Sequence, residues 1–185
     1  MISIIMGTMG DVSVFMKNIN EKKNLHKTYI WLICICAMFF VSQNAQAKCN
    51  GETCTCDVTA DSFSFGEYTP FENHSVDSTS TIKVTCSASD SFRARYVISL
   101  MTGNSGSYRV RKMSSGRSFL QYNLYTGPSH RVVWGNGSQG SKRVTGRSSG
   151  SRAVTKEFTL YGRIPSNQNV PVGFYSDTIV VGIDF

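Results

Sequence analysis

Cysteines are the residues in this sequence whose type and spacing most clearly indicate chemistry. Cys49, Cys54 and Cys56 lie within the string CNGETCTC, and Cys86 ends the later string TIKVTC. Such crowded thiols could bind a metal ion, but no histidine lies near them in the sequence. An even number of cysteines in an exported chain is typical of disulfide bonds. The pattern therefore favours two disulfides over a metal site, and no cofactor is expected.

Cys34 and Cys36 lie in the N-terminal segment that is predicted below to be removed, and the four remaining cysteines allow three pairings. A Cys54–Cys56 bridge would span one residue and strain the bond geometry. The favoured set is Cys56–Cys86 with Cys49–Cys54. The first bridge closes a loop of about 30 residues, which the chain-entropy model values at roughly 3–4 kcal/mol. The second closes a far smaller loop and should contribute less.

The N-terminal segment has the pattern of a secretory signal peptide. Four lysines between residues 17 and 27 precede the apolar string YIWLICICAMFFV and the small-residue string SQNAQA. This order predicts cleavage after Ala47. The apolar run is short for a membrane span, and a retained membrane anchor is the alternative. The basic region is long, so translation could also start at Met16.

These boundaries divide the chain into three parts: a signal peptide at residues 1–47, a short cysteine-containing segment at 48–55, and one domain at 56–185. The formal net charge of the chain is +7, and the basic residues are scattered along the sequence. A nucleic-acid-binding domain would show a denser basic face with interleaved aromatic residues. Neither of the two histidines after Ala47 has the spacing of a nucleophilic or metal site. We therefore expect no enzyme, no nucleic acid and no small-molecule substrate.

Alternating apolar residues predict an all-β domain of about six strands. Gly, Ser, Asn and Pro separate the alternating runs, which is typical of an antiparallel β-sandwich. The residues predicted to point inward are Val58, Phe63, Phe65, Ile82, Val84, Cys86, Tyr96, Ile98, Leu100, Leu120, Tyr122, Leu124, Phe158, Leu160 and Ile164. A polar connection at residues 101–118 could hold a short strand at 108–113. The Gly/Ser-rich stretch at 135–151 is predicted to be a mobile loop.

The last predicted strand has an apolar face that no later strand of the sequence would cover. Ile179, Val181, Ile183 and Phe185 form one apolar face, and no further strand follows them. An immunoglobulin-like sandwich needs seven strands, and an uncovered apolar edge favours aggregation. A strand from another protein could fill the gap. Periodicity alone leaves open a second possibility, in which the last strand is central or tolerates its exposed edge.

Several strings resemble the spore coat protein U family, which includes the pilus subunits of the archaic chaperone–usher pathway. They are FSFGEYTP, TIKVTC, VRKMSSGRSFLQYNLYTG, VVWGNGS and LYGRIPSNQNVPVGFYSDTIVVGIDF. Each string is weak alone, but their order and spacing are specific. The resemblance covers nearly all of the chain from Cys56 onward.

The resemblance implies an incomplete immunoglobulin-like sandwich that lacks its last strand. A periplasmic chaperone would lend a strand during export, and an outer-membrane usher would exchange it for the extension of a neighbouring subunit. The family also implies a Cys56–Cys86 bridge and a strand-accepting groove bordered by residues 179–185. The terminal Phe185 corresponds to an aromatic residue that helps the chaperone engage the subunit.

One feature departs from the family pattern. Rod subunits carry an alternating apolar extension before the first-strand cysteine, whereas only KCNGETCT precedes Cys56 here. The chain should therefore accept a strand but be a poor donor, which favours a position at a fibre end. The leading hypothesis is an exported pilus or coat subunit at the cell surface.

The alternative hypothesis is a self-sufficient secreted module that binds a surface or glycan. Its contact patch would comprise Tyr108, Arg109, Arg111 and Trp134, because aromatic and arginine side chains are frequent in such contacts.

Overall fold

The computed structural model describes the backbone of residues 2–8 and 49–50 and the whole of residues 54–184. The predicted signal peptide lies outside the described residues, apart from residues 2–8. The described residues contain no helix long and apolar enough to span a membrane.

Nine strands and one short 3-10 turn make up the described fold. The turn comprises Gly103–Ser105. The strands are β1 (Ile2–Thr8), β2 (Cys49–Asn50), β3 (Thr55–Ala60), β4 (Phe63–Gly66), β5 (Val76–Leu100), β6 (Arg111–Ser115), β7 (Ser118–Tyr125), β8 (Val144–Ile164) and β9 (Ser176–Asp184).

Two long strands, β5 and β8, connect the two layers of a β-sandwich. They pair antiparallel along most of their length, with an irregularity between Ser87 and Ser91. On one side of this break, β5 pairs with β3, and β8 continues to β7 and β6. On the other side, β5 pairs with β9, which continues to β1 and β4. This sandwich, whose described strands pair antiparallel except β1 with β9, confirms the predicted immunoglobulin-like fold class.

The core lies between the layers, where the alternating residues face one another. The ring of Phe65 in β4 lies 5.9 Å from that of Tyr122 in β7, edge to face. Of the fifteen inward-pointing side chains predicted from alternation, all except Phe158 are buried, and Phe158 is partly buried. The sequence pattern identified the core because side chains alternate between the two faces of a strand.

The disulfide Cys56–Cys86 is present and joins β3 to β5. The two residues face each other directly in the ladder between these strands. Cys54 is also disulfide-bonded. The side chain of Cys49 lies outside the described residues, so the Cys49–Cys54 pairing stays a prediction.

The predicted mobile loop at residues 135–151 is wrong in its second half. Residues 144–151 belong to β8 and pair with residues 91–98 of β5. Small residues are required there because aromatic rings lie over them: Gly146 faces Tyr96, and a Cβ at Gly146 would collide with the Tyr96 ring. Ser148 is buried and lies 3.3 Å from the Tyr96 hydroxyl. Gly and Ser here fit a packed surface, which composition alone cannot distinguish from a loop.

The short strand predicted at residues 108–113 is shifted toward the C-terminus, to Arg111–Ser115. It forms a hairpin with β7 through a tight turn at Gly116, whose φ of 57° favours glycine.

Candidate functional site

β9 lies between β5 and β1 in the sheet. On one side it pairs antiparallel with residues 97–100 of β5. On the other side it pairs in parallel with β1, from Ser176 to Val181. β1 in turn pairs antiparallel with β4. The position between β9 and β4 is therefore a groove that one strand fills, and in this structure the filling strand comes from residues 2–8.

The register places the apolar residues of β9 along the floor of this groove. Ile179 and Val181 are fully buried, and Ile183 is partly buried. On the opposite wall, the rings of Phe63 and Phe65 are buried with their centroids 4.9 Å apart. Phe185 lies outside the described residues. A strand in the groove therefore covers a continuous apolar surface.

A buried carboxylate anchors the beginning of β9. Asp177 is only 2% exposed. Its oxygens accept hydrogen bonds from the Tyr122 hydroxyl (2.7 Å) and from the backbone N–H groups of Asn104 (2.9 Å) and Thr178 (2.8 Å). Burial and the Asp177 carboxylate raise the pKa of Tyr122 far above its ordinary value, so this hydroxyl remains a donor.

Sequence reasoning did not assign a role to Asp177, although the signal was present. The alternation that points Ile179 and Val181 inward also points Asp177 inward. A carboxylate at an inward position of a strand needs hydrogen-bond partners. The string YSDT belongs to the family pattern. Its aspartate is Asp177, which connects β9 to β7 through the hydrogen bond from the Tyr122 hydroxyl.

A second buried polar cluster surrounds Arg111. Its guanidinium donates to the carbonyls of Met101 (3.0 Å) and Trp134 (2.8 Å) and to Asn123 Oδ1 (2.7 Å). It also lies 5.2 Å from the centroid of the Tyr108 ring. Burial lowers the pKa of Arg111, and nearby groups that include the Asp177 carboxylate oppose that shift. These contacts connect β6 and β7 to the loops beside them.

The predicted contact patch is wrong for three of its four residues. Tyr108, Arg111 and Trp134 are at most 3% exposed, and the Trp134 indole donates to the Ile98 carbonyl at 3.1 Å. They hold the interior together and cannot reach a ligand at the surface. Arg109 is exposed, and its role in contact with a partner stays a prediction. For Arg111, the missed signal is its spacing of two residues from Met113 in VRKMSS, because residues two apart on a strand share a face and Met113 is fully buried.

The described residues contain no group of three or more His, Cys, Asp or Glu side chains that could hold a metal ion. Along β9, main-chain groups pair with β1, and the side chains of Ile179 and Val181 are buried beneath this pairing.

Comparison with known proteins identifies the family. The Spore Coat Protein U domain matches residues 37–182, which is most of the chain. The chain belongs to the Spore Coat Protein U domain family. This confirms the resemblance inferred from the motifs. Protein U of Myxococcus xanthus is 33% identical over 85 residues, covering 45% of this chain and 45% of that protein.

A solved structure is also similar to this member of the Spore Coat Protein U domain family. It is the CsuC–CsuE chaperone–tip adhesion subunit pre-assembly complex from the archaic chaperone-usher Csu pili of Acinetobacter baumannii. The match has a TM-score of 0.48 and 24% identity, and covers 72% of this chain and 40% of that one. The matched regions thus span less than half of either known protein.

The name of this domain family refers to the coat of spores.

Proposed function

We propose that this chain is an exported subunit of a pilus or coat, completed by a strand that a partner protein donates. The observation that carries the proposal is the position of β1. A strand between β9 and β4 completes the sandwich, and residues 2–8 precede the predicted cleavage site after Ala47. Cleavage there would remove the filling strand and open the groove to a partner.

The physical driving force would be burial of the groove together with completion of its ladder. Ile179 and Val181 are fully buried beneath the pairing position. Burial of such a side chain is worth roughly 1.5–3 kcal/mol, and an unpaired edge between two strands leaves main-chain groups without partners. Burial of these side chains and pairing of the main-chain groups both favour a groove that is filled by a strand over an open groove.

The partners follow from this role. A periplasmic chaperone would supply the first strand, and an outer-membrane usher would direct its replacement by that of a neighbouring subunit. The segment between Ala47 and Cys56 is short and polar, so this chain would accept a strand but donate poorly. We therefore place it at a fibre end.

The direct test compares two forms of the processed chain. The first is residues 48–185 alone, and the second carries the sequence ISIIMGT after residue 185 on a flexible linker. Because β1 is parallel to β9, the linker must return about 30 Å along the strand. We expect the linked form to be a monomer with cooperative unfolding, and the unlinked form to aggregate or to require a partner. Size-exclusion chromatography and thermal unfolding measure both properties.

Matched substitutions in the linked strand test the register. Met6 lies opposite the buried Ile179, whereas Ile5 lies opposite the exposed Thr178. Met6→Asp should therefore abolish complementation, and Ile5→Asp should preserve it. A residue 48–185 form that is already a stable monomer would contradict the proposal and favour a self-sufficient binding module.

A further inference from the structure

Arginines from two distant parts of the sequence lie side by side on the outer surface of the sandwich. Arg95 of β5 and Arg147 of β8 face each other directly in the ladder between these strands. Arg93 lies two residues before Arg95, so it shares the same face. All three side chains are exposed, whereas the intervening Ala94 is buried. We call this surface, formed by residues 93, 95 and 97 of β5 and 145, 147 and 149 of β8, the arginine face.

No described acidic side chain forms an ion pair with an arginine of this face. The ion pairs within residues 54–184 involve Lys83, Arg163 and two histidines. Like charges that face each other directly across two strands destabilise a sheet. The pairing of Arg95 with Arg147 therefore opposes folding, so a purely structural role does not account for it.

Protection of a sheet edge does not account for the arginine face either. Charged side chains on an edge strand prevent edge-to-edge aggregation. The first half of β8 is such an edge, because β5 is the only described strand that pairs with residues 144–151. β5 is an interior strand here, since it pairs with β8 on one side and with β2 and β9 on the other. Edge protection thus accounts for Arg147 but not for Arg93 and Arg95.

The chemistry of the arginine face is suited to an extended polymer that carries both anionic groups and hydroxyl groups. Guanidinium groups bind carboxylate, sulfate and phosphate groups through two parallel hydrogen bonds. Thr145 and Ser149 flank Arg147 on the same face of β8, and their hydroxyls can bond to the hydroxyls of sugars. The six residues of the face include no aromatic side chain on which a nucleic-acid base could stack. These features favour an acidic polysaccharide over a nucleic acid.

We propose that the arginine face binds an acidic polysaccharide, whose anionic groups pair with Arg93, Arg95 and Arg147. The site lies outside the groove between β9 and β4. It does not depend on which strand fills that groove, because β5 and β8 form the arginine face by pairing with each other. Such a site attaches the protein to a charged glycan layer.

The test compares two polymers with the same backbone, carboxymethyl dextran and unmodified dextran. Isothermal titration calorimetry with the full chain, at an ionic strength of about 0.15 M, measures both affinities. We expect binding to carboxymethyl dextran and no binding to dextran. The triple variant Arg93→Gln/Arg95→Gln/Arg147→Gln should raise the Kd for carboxymethyl dextran about tenfold.

The matched control is Lys112→Gln/Arg117→Gln/Arg131→Gln. It removes the same number of positive charges, also from exposed residues, but outside the arginine face. This control should raise the Kd less than about twofold, because distant exposed charges are screened by salt. An equal loss of affinity in the two triple variants would overturn the proposal, since it would indicate attraction by net charge alone.

Thermal unfolding distinguishes binding from a structural role of the arginines. Because the substitutions remove directly opposed like charges, the Tm of the arginine-face variant should stay unchanged or rise. A Tm that falls together with the affinity would show that the arginines stabilise the sheet, and would overturn the proposal. Tighter binding of single-stranded DNA or of phosphatidylglycerol vesicles than of carboxymethyl dextran would overturn the assignment to a polysaccharide.

Discussion

At the scale of single residues, buried polar groups decide how the edge strand is held. Asp177 accepts three hydrogen bonds, and Arg111 donates to three different acceptors. Their opposite charges lie in the same interior, where each lowers the cost of burying the other. These groups add specificity to a core that is otherwise apolar.

Asp177→Ala should destabilise the protein by roughly 2–4 kcal/mol, because the Tyr122 hydroxyl and two backbone N–H groups lose a buried acceptor. Urea-induced unfolding of the full chain measures the loss. Asp184→Ala, at an exposed position near the end of β9, is the control and should change stability by less than about 0.5 kcal/mol. Equal effects of the two substitutions would show that Asp177 has no anchoring role.

Asp77 should give the protein part of its sensitivity to acid. Arg163 donates two hydrogen bonds of 2.6 Å to its carboxylate and thereby lowers the pKa of Asp77 below 3.8, against an opposing effect of burial. His130 lies 3.9 Å from the same carboxylate and lowers this pKa further. A carboxyl group whose pKa is lowered by folding stabilises the folded state at pH values above its ordinary pKa. This stabilisation is lost as the pH falls through the lowered pKa of the folded state.

We therefore expect Asp77→Asn to lower the Tm at neutral pH and to reduce the decline in Tm between about pH 5 and pH 2. The effect should be small, since the Asp77 side chain is 44% exposed. Asp57→Asn is the control, because Asp57 is exposed and forms no ion pair with another described residue. An unchanged acid limb in Asp77→Asn would exclude this contribution.

At the scale of elements, β5 and β8 determine the architecture. Each is long enough to enter both layers, so their mutual pairing connects the disulfide-bonded β3 to β9. Small residues in β8 make room for aromatic rings: Gly146 lies beside Tyr96, and Gly162 lies beside Phe63 and Phe65. The Phe63 and Phe65 rings also form one wall of the groove.

Gly146→Ala should destabilise the sandwich by roughly 1–3 kcal/mol, because the added methyl group would overlap the Tyr96 ring. Thermal unfolding of the variant and of Gly127→Ala makes the comparison. An added Cβ at Gly127 would have no atom within 4 Å. Unchanged stability of Gly146→Ala would mean that residues 144–151 do not pack against β5 as described.

At the scale of the whole molecule, the proposed asymmetry between accepting and donating a strand has a direct consequence. If the processed chain accepts but does not donate, adding it to assembling subunits of its own fibre should stop elongation. We expect mean fibre length, measured by electron microscopy, to fall as the ratio of this chain to rod subunits rises.

A variant that cannot accept a strand provides the control. Ile179→Asp places a charge on the apolar floor of the groove and should remove the capping effect. Fibres that elongate equally well with the processed chain and with Ile179→Asp would contradict a position at the fibre end.

The sequence alone determined the fold class, the core and the family. Alternation with a period of two is a local property, so the inward positions of β3, β5, β7 and β9 can be identified without knowing their partners. The order of the motifs identified the family, because motifs can also be found without knowing which strands pair. The family in turn implied the Cys56–Cys86 bridge.

Only the tertiary structure decided what depends on contacts between distant strands. It buried Tyr108, Arg111 and Trp134, whose types had suggested a surface patch. Arg111 and Trp134 find hydrogen-bond acceptors at distant points of the chain, the carbonyls of Trp134 and Ile98 respectively. It made residues 144–151 a strand, because glycine and serine can lie beneath rings contributed by β5. It also placed a strand between β9 and β4, a pairing that no local pattern could specify, since it depends on which edges the folded sandwich leaves open.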